Sequence, residues 1–246
     1  MVKERISLTL DSDVLDRLDR EVERRDIGNR SRAVEEFLRD YLGGGVETAL
    51  VLGGGRESSC LIRINGKPVV EHVIEMLQDS GVEEVLVATA DPEVREELEE
   101  RDVEVVFEEE PRGTGGSLRE IQGRVEDTFL VVNGDVMCDV DIDDMQDAHR
   151  NAEGEATVAL TTAEDASSYG VINMKGNRIV GFREKPEESS SHLINAGVYL
   201  LEPRFLERLP DEREQPRVDI ERVFEKVAEE GKLAGYVYEG EWKEVG

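Results

Sequence analysis

The chain is poor in the residues that build disulfide scaffolds, metal clusters and membrane spans. It has two cysteines, Cys60 and Cys138, far apart and without metal-ligand spacing. That pattern excludes a disulfide framework and suits a reducing compartment. No window approaches the roughly 18 consecutive apolar residues of a spanning helix. The opening stretch MVKERISLTLDSDV carries charges inside its apolar segment, which excludes a signal peptide reading. The expectation is a cytoplasmic protein without a membrane partner. No internal repeat or low-complexity tract stands out, apart from the acidic and serine-rich run 187–191, which reads as an exposed loop.

Lysine is also scarce, at seven of the thirty basic residues, while acidic residues number 58 and the net charge is -28. A dense carboxylate surface with little lysine holds water and keeps a protein soluble at high salt, which points to a halophile as the source, the alternative being merely an acidic cytosolic protein. At 246 residues the chain is long enough for a sizeable core, either as one large domain or as a medium domain with a small companion.

Charge placement favours the second arrangement. Residues 1–42 hold nine Lys/Arg against eleven Asp/Glu, so this front segment is nearly neutral on a strongly acidic chain. Residues 5–10 alternate polar and apolar, the period of a half-buried strand, and Asp11 or Ser12 can cap a helix behind it. Val14, Leu15, Leu18 and Val22 then recur at helical spacing, and this first helix is expected to end near Gly28. Asn29 or Ser31 can cap a second helix bearing Ala33, Val34, Phe37, Leu38, Tyr41 and Leu42, which stops at three glycines, 43–45. One short strand and two helices cannot bury a stable core alone, and a lone strand leaves its backbone groups open, so dimerisation is expected.

The stretch RISLTLDSDVLDRLDREVERR followed by IGNRSRAVEEFLRDYL resembles the ribbon-helix-helix family of DNA-binding proteins. The resemblance implies a homodimer, or a higher homo-oligomer, whose paired strands enter the major groove. Ile6, Leu8 and Leu10 would face inward and Arg5, Ser7 and Thr9 outward, where an arginine can bond guanine bidentately and hydroxyls can serve either base type. Asn29, Arg30 and Ser31 would set the second helix against a phosphate. The alternative is that the module only dimerises and that Arg5, Ser7 and Thr9 form an ordinary solvated face.

After a glycine-rich linker at 43–47, residues 48–246 alternate strand and helix signals. Strands are predicted over 49–52, 84–88, 103–107, 128–132, 156–160, 170–174, 178–182, 194–201 and 234–238, and helices over 68–78, 92–100, 116–125 and 218–229. The order implies an α/β, Rossmann-like, mostly parallel sheet with ligands at the carboxyl ends of its strands. Gly53, Gly54 and Gly55 follow the first apolar run and suit close approach to a phosphate. Asp135, in VVNGD, follows another buried run, where it can hold a hard cation that bridges phosphates.

Taken in order, LVLGGGR, NGKPVVEHVIEML, EPRGTGGSL, VVNGDV, YGVI, REKP, INAGVYLLEP and GEWKEVG resemble the sugar-phosphate nucleotidyltransferases, of the glucose-1-phosphate thymidylyltransferase or mannose-1-phosphate guanylyltransferase type. The resemblance implies a glycosyltransferase-A-like fold. It implies a nucleotide site at Gly53, Gly54, Gly55, Gly113 and Thr114, and a sugar-phosphate site at Gly170, Glu184, Lys185 and Asn195. It also implies Mg²⁺ on Asp135 and Glu244, with Arg56 and Asp135 as the catalytic pair. Two departures stand out. The family's glycine loop is longer, and its lysine position falls here on Ser59, leaving Arg56 or Arg63 as substitutes; the family's second metal-binding aspartate is Glu244 here. The leading expectation is therefore a DNA-binding regulator whose larger domain binds a nucleotide, nucleotide sugar or sugar phosphate with catalysis weakened or lost. The alternative is an active Mg²⁺-dependent sugar-1-phosphate nucleotidyltransferase dimerised by its first module.

Overall fold

The computed structural model describes residues 6–24, 27–42, 45–56, 58–163, 165–186 and 191–245. The chain divides into two compact units, Met1–Gly44 and Gly45–Gly246.

In the first unit, α1 (Ser12–Arg24) and α2 (Arg30–Leu42) pack through Leu18, Ile27 and Ala33, with Leu15, Val22, Val34 and Phe37 around them. The turn between them is closed by Ile27 N–H donating to the Val22 carbonyl, and Asn29 caps α2 by accepting from Arg32 N–H at 3.0 Å. The strand expected over 5–10 is not formed: residues 6–10 pair with nothing among the described residues, and Arg5 lies outside them. The physical reason is that a strand needs a neighbour, and the described residues supply none beside it. Ile6, at 68% exposure, and Leu8, at 56%, are left uncovered on one side of that segment.

The second unit is built on one sheet. Its first half comes from β1 (Thr48–Leu52), the small hairpin β2 (Arg63–Ile64) and β3 (Lys67–Pro68), α3 (Val69–Asp79), β4 (Glu84–Thr89), α4 (Pro92–Glu97), β5 (Glu104–Phe107), α5 (Thr114–Glu120) and β6 (Phe129–Asn133). The second half comprises β7 (Val136–Cys138), α6 (Ile142–Ala152), β8 (Ala156–Thr162), β9 (Gly170–Lys175), β10 (Arg178–Glu184), β11 (Leu193–Leu201), α7 (Ile220–Glu229), β12 (Leu233–Val237) and β13 (Trp242–Glu244). Among the described residues the sheet has nine strands in the order β5-β4-β1-β6-β11-β8-β12-β10-β9.

The sheet is mixed, which corrects the mostly parallel expectation. β5, β4, β1 and β6 run parallel, as do β8 and β12, whereas β11 is antiparallel to β6 and β8, and β10 to β9 and β12. The strands were readable from their apolar runs, but pairing direction depends on connections the runs do not encode. Helix α6 went unread, because Asp143, Asp144 and Asp147 interrupt the buried Ile142, Met145 and His149 that define its inner face. Several helices are shorter than their signals, α4 ending at Glu97 and α5 at Glu120. The loop expected at 187–191 lies, except for Ser191, outside the described residues.

Strand alternation assigns each residue to one of two cores. Ala49 and Val51 join Val87, Val132, Val198 and the inner residues of α3 and α6, while Leu50, Leu52, Leu86, Val131 and Tyr199 join those of α5 and α7. Strands buried on both faces read as continuous hydrophobic runs, as these do. Phe224 of α7 anchors the second core, with ring centroids 5.1 Å from Tyr199 and 5.4 Å from Phe205. Truncating such a ring to alanine costs about 3–5 kcal/mol.

Candidate functional site

The carboxyl ends of β1 and β6 meet at one edge of the second unit. Gly53 N–H donates to the Ala88 carbonyl at 2.7 Å, and a Cβ there would come within 3.1 Å of that oxygen and of Thr89, so β1 and β4 pack closely at this glycine. Gly54 has φ +79, and a Cβ on it would stand 2.6 Å from Ser58 Oγ. The shortened loop then folds onto its neighbours. Ser58 N–H donates to Asp91 Oδ2 at 2.9 Å, Ser58 Oγ accepts from Cys60 N–H, and Ser59 Oγ donates to Asp135 Oδ2 at 2.9 Å.

Asp135 is positioned by the turn after β6. Gly134 N–H donates to the Leu52 carbonyl, and a Cβ at Gly134 would meet Cys60 Sγ at 2.9 Å, so the loop and the carboxylate are packed as one piece. β7 pairs with β13, with Val136 opposite Glu244, and Val245 N–H donates to the Asp135 carbonyl at 2.9 Å. Two carboxylates from distant parts of the chain thereby become neighbours. Burial raises the pKa of Glu244 and the charge of Asp135 raises it further, while Lys185 opposes the shift. Two carboxylates and a hydroxyl fit Mg²⁺, which takes one or two carboxylates and completes its shell with water and phosphate oxygens. Among the described residues no group of three or more His, Cys, Asp or Glu could hold a metal.

The predicted basic partners separate. Arg56 reaches the Glu109 carbonyl at 3.5 Å, in the segment before Gly113. Arg63 is bound to Glu97 at 2.8 Å and to the Gly66 carbonyl, on the β2–β3 hairpin, which removes it as a substitute for a loop lysine.

The opposite wall comes from β9, β10 and β11. Gly170 pairs with Glu184, and a Cβ on Gly170 would lie 2.9 Å from Glu184 Oε2, so its bareness makes room for that carboxylate. Lys185 is next in the chain with φ 42, its N–H donating to the Tyr169 carbonyl. Asn195 sits at a break in the β11 register: its amide donates to the Tyr199 hydroxyl at 2.8 Å and its carbonyl accepts from Gly197 N–H at 3.0 Å. Trp242 of β13 donates to the Ala196 carbonyl and packs edge-on to Tyr169 at 5.2 Å, tying the Glu244 strand to this wall.

The Gly113–Thr114 segment is joined to the start of α7. A Cβ on Gly113 would stand 2.5 Å from the Val218 carbonyl, Gly115 N–H donates to that carbonyl, and Thr114 Oγ1 accepts from Ile220 N–H at 2.8 Å. Glu221, in the first turn of α7, is a partly buried carboxyl that burial pushes up to about 7 while Thr114 opposes the rise. Sequence reasoning did not single out Glu221, because an acidic residue in a first helical turn reads as a partner of the helix dipole.

In the first unit, Ser7 and Thr9 are exposed, as are Asn29, Arg30 and Ser31. Asn29 is used as the α2 cap, and Arg30 grips Asp19 through two bonds of 2.6 and 2.5 Å. A separate cavity of about 880 Å³ lies between α3 and the β7–β13 pair, lined by His72, Met76, Met137, Trp242 and Lys243 among others, and shares none of the predicted site residues.

A family model described as nucleotidyl transferase matches residues 50–246, and one described as ribbon-helix-helix protein, copG family, matches residues 4–43. The chain is 35% identical over 202 residues to the Arabidopsis thaliana protein named Probable mannose-1-phosphate guanylyltransferase 3, covering 76% of this chain and 60% of that one. It is 33% identical over 193 residues to mannose-1-phosphate guanylyltransferase of Mycobacterium tuberculosis, covering 74% and 53%. The chain thus spans somewhat over half the length of the curated relatives it matches. A Bacillus anthracis structure described as a "Putative Glucose-1-Phosphate Thymidylyltransferase" superposes with a TM-score of 0.70 at 20% identity, over 80% of this chain and 89% of that one. The Yersinia pseudotuberculosis HddC structure gives 0.69 at 21% identity, over 81% and 94%. At these identities the structural likeness establishes the fold.

Proposed function

Because the chain belongs to the nucleotidyl transferase family and carries a ribbon-helix-helix unit, we propose that it is a DNA-binding regulator whose larger unit binds a nucleotide or nucleotide sugar with catalysis weakened or lost. The observation that carries this reading is the Ser59–Asp135 hydrogen bond. Transfer between phosphates depends on positioning and on positive charge around the reacting oxygens. Here a neutral hydroxyl occupies the loop position beside the metal carboxylate, Arg63 is bound to Glu97, and Arg56 turns to Glu109. Binding groups are retained: Glu184 and Lys185 on the sugar side, and Gly53 to Gly55 with Gly113 and Thr114 on the nucleotide side. Asp135 and Glu244 would hold Mg²⁺, which supplies charge neutralisation for a bound nucleotide's phosphates. The relatives' names make GDP-mannose and mannose 1-phosphate the first ligands to test.

The DNA half of the reading is supported by the uncovered Ile6 and Leu8. A second copy of the segment would pair its backbone and bury those side chains, turning Arg5, Ser7 and Thr9 of both copies outward. A ligand can alter DNA binding only if it has different affinity for the competent and incompetent states. The adjacency of Asp135 and Glu244 favours a second reading, an active transferase in which a sugar-phosphate oxygen displaces pyrophosphate from the nucleotide. The regulator reading is tested by titrating upstream DNA against the full chain with and without GDP-mannose. A shift in affinity of about fivefold or more is expected; equal and sequence-independent binding at every salt concentration would overturn it.

A further inference from the structure

The reading above leaves unused the cavity between α3 and the β7–β13 pair. At about 880 Å³ it has the size of a small-molecule pocket, and every residue lining it belongs to the second unit. Its floor is apolar and polarisable: Val73 is buried, and Met76, Met137 and Trp242 are half-buried. The indole N–H of Trp242 is committed to the Ala196 carbonyl at 3.0 Å, so what this residue offers the cavity is ring surface. Indole rings attract cations over their faces, and the flexible methionine side chain adapts to irregular apolar bodies.

The rim carries charge of one predominant sign. Asp79, Asp139 and Glu241 are exposed there against one ammonium, Lys243, and none of the four forms an ion pair among the described residues. Asp79 is the last residue of α3 and Ser80 its cap, so the negative end of the helix dipole lies here too. His72 gives its Nε2–H to the Ile64 carbonyl at 3.0 Å, which in the neutral ring leaves Nδ1 as an acceptor. Tyr238 stands next to Asp139: a Cβ on Gly240 would meet Asp139 Cβ at 3.1 Å and the Tyr238 ring at 3.2 Å. The Tyr238 hydroxyl is the one buried side-chain polar atom without a hydrogen-bond partner among the described residues, and Cys138 and Asp139, both on the cavity, are the ionisable groups that act on it. A buried hydroxyl left unpaired is costly, so this wall lacks a polar partner.

We infer that this cavity is a second ligand site, which takes a small organic cation carrying an aromatic or alkyl body. The ammonium sits at the rim with Asp79, Asp139 and Glu241, and the body lies on Met76, Met137 and Trp242. An anionic ligand such as a nucleotide is disfavoured, because it meets three carboxylates and a helix C-terminus where phosphate sites present N–H groups and helix N-termini. The exposed rim makes the charge contribution sensitive to salt, while the apolar floor keeps its share of the affinity as salt rises. The cavity shares no residue with the nucleotide and sugar-phosphate positions named above, so the inference does not rest on the ligand reading.

Trp242 is the chain's one tryptophan, so its fluorescence in the full chain reports on the cavity directly. Phenethylammonium is titrated beside phenylacetate, which has a similar body and the opposite charge, and methylammonium, which has the charge without the body, each at low and at high salt. Expected are a saturable change in Trp242 emission with phenethylammonium, affinities about tenfold or more weaker for the other two at low salt, and a cation preference that shrinks as salt rises. Replacing two exposed carboxylates together, Asp79→Asn with Glu241→Gln, should cut the preference over phenylacetate about threefold or more. Met76→Lys, which sets a tethered ammonium in the cavity, should abolish the response to phenethylammonium. No saturable response in the wild type, equal affinity for phenylacetate, a preference unchanged in the double variant, or binding that persists in Met76→Lys would each overturn the inference. The wild-type series with its three probes does not depend on any variant folding.

Discussion

Ser59 donates its hydroxyl to Asp135 Oδ2 at 2.9 Å, and the carbonyl of the same aspartate accepts from Val245 next to Glu244. One residue thus links the glycine loop, the end of β6 and the β7–β13 pair. The link is neutral, and under the proposed function that neutrality is what would separate binding from turnover.

A cation at position 59 is therefore predicted to raise catalysis. Ser59→Lys should increase pyrophosphate release from GTP and mannose 1-phosphate by about tenfold or more over wild type, within the range that one electrostatic group contributes. Ser59→Ala should not increase it. No gain in Ser59→Lys, with GTP still bound, would assign the deficit to the loop's length.

Glu155 predicts the acid limit of the second unit. Buried against Arg208 and Lys232, with side-chain bonds of 2.9 and 2.8 Å, its carboxyl is held down to about 2, with Arg208 the larger cause and burial opposing. A depressed folded-state pKa gives stability that is present above the unfolded value near 4.5 and lost as pH falls toward 2. After allowance for partly exposed partners the contribution is about 2 kcal/mol. Glu155→Gln should lower the melting temperature at pH 7 and flatten its fall between pH 5 and 2.

Gly113 predicts a backbone limit. With φ +79 and the Val218 carbonyl 2.5 Å from any added Cβ, Gly113→Ala strains its own backbone and pushes the Gly113–Thr114 segment away from the start of α7. A stability loss of about 2 kcal/mol is expected. The control is Gly28→Ala, where nothing lies within 4 Å and φ is not positive, and a change below about 0.5 kcal/mol is expected. Urea denaturation measures both.

Asp19 predicts a salt-sensitive effect on DNA. Its bidentate grip holds Arg30 at the entry to α2, and both side chains are exposed. Asp19→Asn should free Arg30 for a phosphate and strengthen DNA binding a few-fold at low salt, with the gain vanishing as salt screens the contact. A gain that is independent of salt would contradict this account of Arg30.

The strands were legible because residues such as Leu50, Val51, Leu86, Val131 and Val132 are buried on both faces and leave uninterrupted apolar runs. Asp135 was legible because it comes directly after such a run. Glu221 was not, since its neighbours Thr114 and Glu184 are distant in sequence and its own position looks like helix capping. Nor was the use of Asn195, whose amide is committed by a register break in β11. The β7–β13 pairing escaped because three-residue strands about a hundred residues apart leave no periodic signal. The strand of the first module was legible only as an alternating pattern, because pairing also needs a neighbour and residues 6–10 have none among the described residues.

The most direct measurement sets ligand affinity beside turnover for the unaltered full chain, in high salt with Mg²⁺. Calorimetry with GDP-mannose and GTP is run next to a pyrophosphate-release assay with GTP and mannose 1-phosphate. Micromolar binding, with release no faster than that of Asp135→Ala, is the predicted result. Release that Asp135→Ala abolishes would contradict the account and identify the chain as a working transferase.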